Sequence, residues 1–243
     1  MAALREAAEE CAFPPDAVRI RGMLRDDHGG WSYQTVIAEA DEPLPVRRAS
    51  SEIAEAAWVA VEEVDRLPLH PGFREQWPVL RDALAPLSVI VDVANVMGSR
   101  ADGWWRDRAG AARRLHGELA ALSARGVASL PGEMASTAPE GAVPPQAAVA
   151  AIERWFPDLV LVLEGAARAA ARDDGTAPVP GGPGLGSRVR LVAAAGSGDD
   201  TIAKLARDLP GRRLVVTADR ELRRRCVAAG ASVTGPRWLL GQL

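Results

Sequence analysis

Leu87-Ser88-Val89-Ile90-Val91-Asp92 is short, almost wholly apolar and rich in β-branched residues, and it ends in an acid. Such a run suits a strand buried on both faces of a parallel sheet. Three runs downstream repeat the pattern: Leu159 to Leu163 before Glu164, Val189 to Ala193 before Asp199 and Asp200, and Arg213 to Val216 before Asp219. Ser232-Val233 reads as a last short strand. Helical stretches are predicted between them, over 106–124, 147–155, 199–209 and 221–229. Strands alternating with helices predict an α/β domain over 87–243, doubly wound around a mostly parallel sheet. The stretches 129–146 and 172–188, rich in Pro, Ala and Gly, read as loops.

Upstream of Pro86 the pattern changes. Residues 1–13 read as a helix with Leu4, Ala7, Ala8 and Cys11 on one face, stopped by Pro14 and Pro15. Segments 18–25 and 31–40 read as strands joined by the turn Asp26-Asp27-His28-Gly29-Gly30, with Trp31, Tyr33, Thr35 and Ile37 on one face. A strand over 57–61 and a closing helix over 76–84 complete a partial α+β module, 1–86. Its isolated sheet would leave an open edge, a route to a homodimer.

Charge separates the halves as well. Residues 1–86 carry 9 basic and 16 acidic side chains, a net of −7, whereas residues 87–243 carry 20 and 16, a net of +4. The second half is therefore the better partner for a polyanion. The chain is 48% apolar, which excludes wholesale disorder, and its apolar runs are far too short to span a membrane. Two cysteines far apart, Cys11 and Cys226, argue against a disulfide scaffold or a structural zinc site and for a reducing cytoplasm. His28, His70 and His116 show no metal or triad spacing.

Acids stand at four strand-to-loop junctions: Asp92, Glu164, Asp199 with Asp200, and Asp219. Functional groups of an open parallel sheet gather at the C-terminal ends of its strands, so these acids are expected to converge in one crevice. Crowded carboxylates repel one another, and a divalent cation relieves that repulsion. An all-oxygen set favours Mg²⁺ or Mn²⁺. An Asp after a strand also serves as a helix N-cap, and Asp199 before Thr201-Ile202 suits that role.

Val91-Asp92-Val93-Ala94-Asn95-Val96, Gly198-Asp199-Asp200-Thr201-Ile202 and Val216-Thr217-Ala218-Asp219-Arg220 resemble the motifs of PIN-like nucleases, closest to the NYN branch. The resemblance covers roughly 87–235 and implies metal-dependent endonuclease chemistry on RNA. It implies Asp92, Asn95, Asp199 and Asp219 as catalytic, with Asp92, Glu164, Asp199, Asp200 and Asp219 around the metal and Thr217 in support. Arg100, Trp104, Trp105 and Arg106 follow the first motif directly. They are expected to bind RNA through ring stacking and phosphate pairing, or else to cap the sheet and be solvated.

Arg5-Glu6-Ala7-Ala8-Glu9-Glu10-Cys11-Ala12-Phe13 resembles the second half of a Nudix box. One helical turn places Glu6 beside Glu9 and Glu10. The resemblance implies that these glutamates hold Mg²⁺ against a nucleoside-diphosphate-linked substrate. Trp31 to Ala38 and the stretch from Glu55 to Pro71 fit as well. Ala12 stands where the pattern has Gly. A complete box needs a Gly and a Glu well upstream of Arg5, and only four residues precede it. This suggests either a reading frame that begins upstream of Met1 or a degenerate fragment serving as a scaffold; the first is expected. The sequence thus predicts a ribonuclease with, as alternatives, a Nudix pyrophosphohydrolase or a non-catalytic RNA-binding module.

Overall fold

The computed structural model describes residues 2–131, 134, 151–173 and 189–243. The predicted loops at 129–146 and 172–188 fall mostly outside the described residues, as do positions 147–150 of a predicted helix. The strands are β1 (Val18–Asp27), β2 (Ser32–Ala40), β3 (Leu87–Asp92), β4 (Ala151–Trp155), β5 (Asp158–Leu163), β6 (Val189–Ala193), β7 (Arg212–Val216) and β8 (Ser232–Thr234). They form a three-stranded antiparallel sheet and a five-stranded parallel one. Two compact units result. Among the described residues, one comprises 2–85 and 151–155, and the other 86–131, 134, 156–173 and 189–243.

In the first unit the strand order is β2-β1-β4. Val18, Ile20 and Leu24 alternate inward along β1. Between them Arg19 grips both carboxylate oxygens of Asp41, at 2.8 and 2.6 Å, and Arg21 pairs with Glu39. β4 corrects the helix predicted over 147–155: residues 151–155 pair with β1, Leu24 opposite Ile152 and Gly22 opposite Trp155. A short apolar run fits either period, and here a distant strand decides. The strand predicted at 57–61 is also absent. That segment is irregular before a 3₁₀ stretch, Val61–Arg66, and Trp58 is 60% exposed with its Nε1 donating to the Leu44 carbonyl at 2.7 Å. The closing helix, Pro71–Ala83, starts earlier than predicted, with Pro71 in the first turn where its missing N–H costs nothing.

The first helix, Ala2–Cys11, ends on Ala12, whose φ of 58° is the one positive value outside glycine among the described residues. Its N–H closes on the Ala8 carbonyl at 2.9 Å, a C-terminal turn that favours glycine. The left-handed conformation costs an L-residue about 1–2 kcal/mol, against up to about 1 kcal/mol for the extra unfolded-state freedom of glycine. Ala12→Gly is therefore expected to raise stability by about 0.5–1 kcal/mol, seen as a higher urea midpoint at unchanged slope.

In the second unit the order is β6-β5-β3-β7-β8, all parallel. β3 is buried at every position. The chain steps outward from β3 to β5 and β6, then crosses to the other side for β7 and β8. The switch point therefore lies between β3 and β7, where open α/β sheets leave a crevice beyond the strand ends. Helices cover both faces. Ile202, Ala203 and Ala206 of helix Gly198–Asp208, with Leu222 and Cys226 of helix Arg220–Ala228, pack on Ile90, Val162 and Val215. Helix Arg108–Arg125 lies over β5 and β6 with Leu115, Leu119 and Leu122 fully buried. Cys11 and Cys226 are both free thiols. Among the described residues no helix is long and apolar enough to cross a membrane.

Candidate functional site

Asp92 ends β3 and is only 5% exposed. It caps helix Val93–Gly98: Oδ1 accepts from the Asn95 N–H at 3.1 Å. Oδ2 accepts from Asn95 Nδ2 at 2.7 Å and from Thr217 Oγ1 at 2.8 Å. The Asn95 amide oxygen in turn accepts from the Ala218 N–H at 3.3 Å, so one side chain ties the end of β3 to the end of β7. Thr217 is fully buried, and its hydroxyl also accepts from the Asp219 N–H at 3.1 Å. Three donors favour the Asp92 carboxylate, yet burial outweighs them and holds it above the usual range, with Glu164 adding repulsion.

The other predicted acids gather on the same side of the sheet. Asp219 caps helix Arg220–Ala228, its Oδ1 accepting from the Leu222 N–H at 2.7 Å. Asp199 does not cap its helix, contrary to the capping role its sequence context suits. Ser197 takes that position, and Asp199 sits in the first turn. Burial and then repulsion from Asp92, Asp219 and Glu164 push Asp199 above its ordinary value, partly offset by Arg225. Glu164 Oε2 accepts from the Gly198 N–H at 3.1 Å, joining the end of β5 to the start of the Asp199 helix. A Cβ on Gly198 would stand 2.7 Å from that oxygen, so the contact requires glycine there.

Asp200 is turned to Arg225, at 2.6 Å. That pairing is at the surface, with the Asp200 side chain 71% exposed. Arg223 of the same helix donates to the Thr217 carbonyl at 3.3 Å.

Asp92, Asp199, Asp219 and Glu164 thus stand at neighbouring strand ends, and the charges of the others help to hold Asp92 and Asp199 above their ordinary values; such an all-oxygen set is of the kind that suits Mg²⁺ or Mn²⁺. As their side chains stand, no three His, Cys, Asp or Glu among the described residues are drawn together tightly enough to form a finished metal cluster. The capping hydrogen bonds do not preclude ligation, because a carboxylate offers about four lone-pair directions.

The predicted RNA-contacting residues are divided. Arg100 pairs with Glu118 at 2.5 Å. Trp105 is 58% exposed and Arg106 is exposed. Trp104 is half-buried, edge-on to Trp105 at 6.2 Å, with the Arg108 guanidinium 5.2 Å over its ring. Arg108, which ends the same Trp- and Arg-containing stretch after the first motif, borders a cavity beside Glu164 together with Arg168, which sequence reading missed. Only its arginine identity near the β5 end could have signalled Arg168.

In the first unit, Glu6 and Glu9 are exposed and Glu10 is half-buried on the helix Ala2–Cys11, with Glu9 3.7 Å from Arg5. Spacing puts all three on neighbouring positions of one face. A cavity of about 810 Å³ lies in this unit, bordered by Cys11, Arg21, Ile37, Trp58 and Trp77. Residues 1–82 match the NUDIX domain family. Nudix hydrolases use Mg²⁺ or Mn²⁺, which suits the three glutamates.

A protein named "Putative 8-oxo-dGTP diphosphatase 3" in two strains of Mycobacterium tuberculosis is 39% identical over 89 residues, covering 34% of this chain and 41% of that protein. A "Nucleoside triphosphate pyrophosphatase/Nudix hydrolase fusion protein" of Bifidobacterium longum is 32% identical over 78 residues, 31% of this chain and 16% of that one. The chain therefore spans well under half the length of these curated relatives. Among solved structures, a variant of Rae1 (YacP) from Bacillus subtilis aligns with a TM-score of 0.40 at 16% identity, over 64% of this chain and 73% of that chain.

Proposed function

We propose that the chain belongs to a divalent-metal-dependent hydrolase of phosphate anhydrides and esters, with a separate hydrolytic site in each unit. For the first unit the reading is a Nudix-type hydrolase of nucleoside-diphosphate-linked substrates. The observation that carries it is the match over 1–82, with Glu6, Glu9 and Glu10 on one helical face. Relatives named for 8-oxo-dGTP make a nucleoside triphosphate the substrate class to try first. Release of pyrophosphate from 8-oxo-dGTP in Mn²⁺ is expected, and the double variant Glu9→Gln/Glu10→Gln is expected to lower it at least about 100-fold. Unchanged release would remove this reading.

A second reading applies to the other unit: a PIN-like ribonuclease. Its specific support is the Asp92, Asp199, Asp219 and Glu164 set at the switch point, tied by Asn95 and Thr217. A bound Mg²⁺ or Mn²⁺ there would neutralise phosphate charge and make a water more acidic. The chain's own groups would do the rest. Asp92 would be held ionised and oriented by its three donors, Asp219 would be fixed by Leu222, and Asp199 would accept a proton from the attacking water. Cleavage of labelled single-stranded RNA in Mn²⁺, lost in Asp92→Asn, tests it.

A further inference from the structure

We propose that Arg108 and Arg168 form a phosphate subsite that holds the backbone of a single-stranded RNA next to the bond to be cut. This inference rests on the ribonuclease reading and names how the strand is held. A cavity of about 400 Å³ in the second unit is bordered by Trp104, Arg108, Glu164 and Arg168, and also by Ala94 and Met97. Ala94 and Met97 lie in the helix that Asp92 caps, and Glu164 belongs to the carboxylate set, so the cavity adjoins the proposed reaction centre.

Two guanidiniums border this space, and among the described residues neither has a carboxylate partner. Arg168 spends one Nη2 bond on the Gly196 carbonyl at 3.3 Å, while its Nε is buried with no hydrogen-bond partner. A buried unpaired donor is destabilising, and an anion in the cavity would satisfy it. Arg108 is held by the Trp104 ring rather than by an acid. Glu164 lines the same cavity and its charge opposes an anion, but it forms no ion pair with either arginine, and one of its oxygens is taken by the Gly198 N–H. Two arginines meeting one cavity match a phosphodiester, and the exposed Trp105 beside them offers a ring for a base.

The test is binding of a fluorescein-labelled ten-nucleotide uridine RNA to the full chain in EDTA, as a function of salt. Arg108→Gln and Arg168→Gln are each expected to weaken binding about tenfold and to lower the slope of log affinity on log salt by about 0.7. Arg224→Gln, which removes an exposed pair with Glu221, is expected to change neither. Arg108 is exposed, so its variant is expected to fold even if Arg168→Gln does not. Unchanged affinity and slope in Arg108→Gln, with cleavage by the wild type intact, overturns the subsite and leaves the nuclease reading standing. Arginine-dependent binding without any cleavage in Mn²⁺ upholds the phosphate contact to the strand but removes the nuclease reading and, with it, the placement beside a bond to be cut. Displacement of the RNA by submillimolar inorganic phosphate overturns the assignment to a strand.

Discussion

Asp92→Asn is expected to reduce metal-dependent RNA cleavage at least about 100-fold while the chain stays folded. The exchange keeps the side chain's shape and its cap on Asn95, but loses the charge that would hold a divalent cation. It also turns an amide N–H₂ toward Asn95 Nδ2 and Thr217 Oγ1; the Thr217 hydroxyl can accept instead of donate, whereas the bond from Asn95 Nδ2 is lost, at a cost of about 1 kcal/mol. Relief of a buried charge offsets that loss, so stability without metal should stay within about 1 kcal/mol of wild type at neutral pH. Mn²⁺ at a hundred times its Kd for this site should stabilise the second unit of the wild type by about 2.7 kcal/mol more than that of the variant, any binding at the first unit being common to both. A thermal melt with and without Mn²⁺ reads this independently of turnover.

The pH dependence follows from the same carboxylate. Burial and Glu164 raise Asp92 above its unfolded value, so the folded state binds that proton more tightly. The associated stability is fully present below the unfolded pKa and is lost as pH rises through the folded one. In chelator, the wild type should therefore gain on Asp92→Asn as pH falls through the raised value.

Gly211→Ala is expected to cost about 3 kcal/mol, lowering the melting temperature by roughly 6–12 °C. Gly211 has a φ of +69°, and a Cβ there would stand 2.3 Å from the Pro86 carbonyl oxygen. That oxygen accepts from the Arg212 N–H at 2.7 Å, the contact that sets β7 beside β3. Backbone, not a flexible side chain, would have to move. Because the same pairing places Thr217 against Asp92, the damage should reach the carboxylates as well. Gly235→Ala is the control: its φ is −84° and its Cβ would meet nothing within 4 Å, so a change within about 0.5 kcal/mol is expected.

The parallel sheet was legible because β3 and β5 are continuous apolar runs that no amphipathic helix would tolerate. β4 was not, since its partner β1 lies far back in the chain and local periodicity carries no record of it. The short helices Val93–Gly98 and Pro236–Leu240 have too few turns to show a period. In the site, the motifs located Asp92, Asn95, Thr217 and Asp219, whose contacts are set by strand ends and caps. They could not say that Asp199 yields its cap to Ser197 or that Asp200 turns to Arg225, because those choices depend on the neighbouring helix. Arg168 had only its place just after β5 to mark it; the cavity around it is assembled from segments distant in sequence.

The central claim is that the two units carry separate hydrolytic sites. The most direct measurement is the rate of product release in Mn²⁺ from 8-oxo-dGTP and from labelled single-stranded RNA, by the wild type and by Asp92→Asn. Asp92→Asn is expected to lose RNA cleavage and retain pyrophosphate release. RNA cleavage that survives the substitution, or failure of the wild type to act on either substrate, would contradict it.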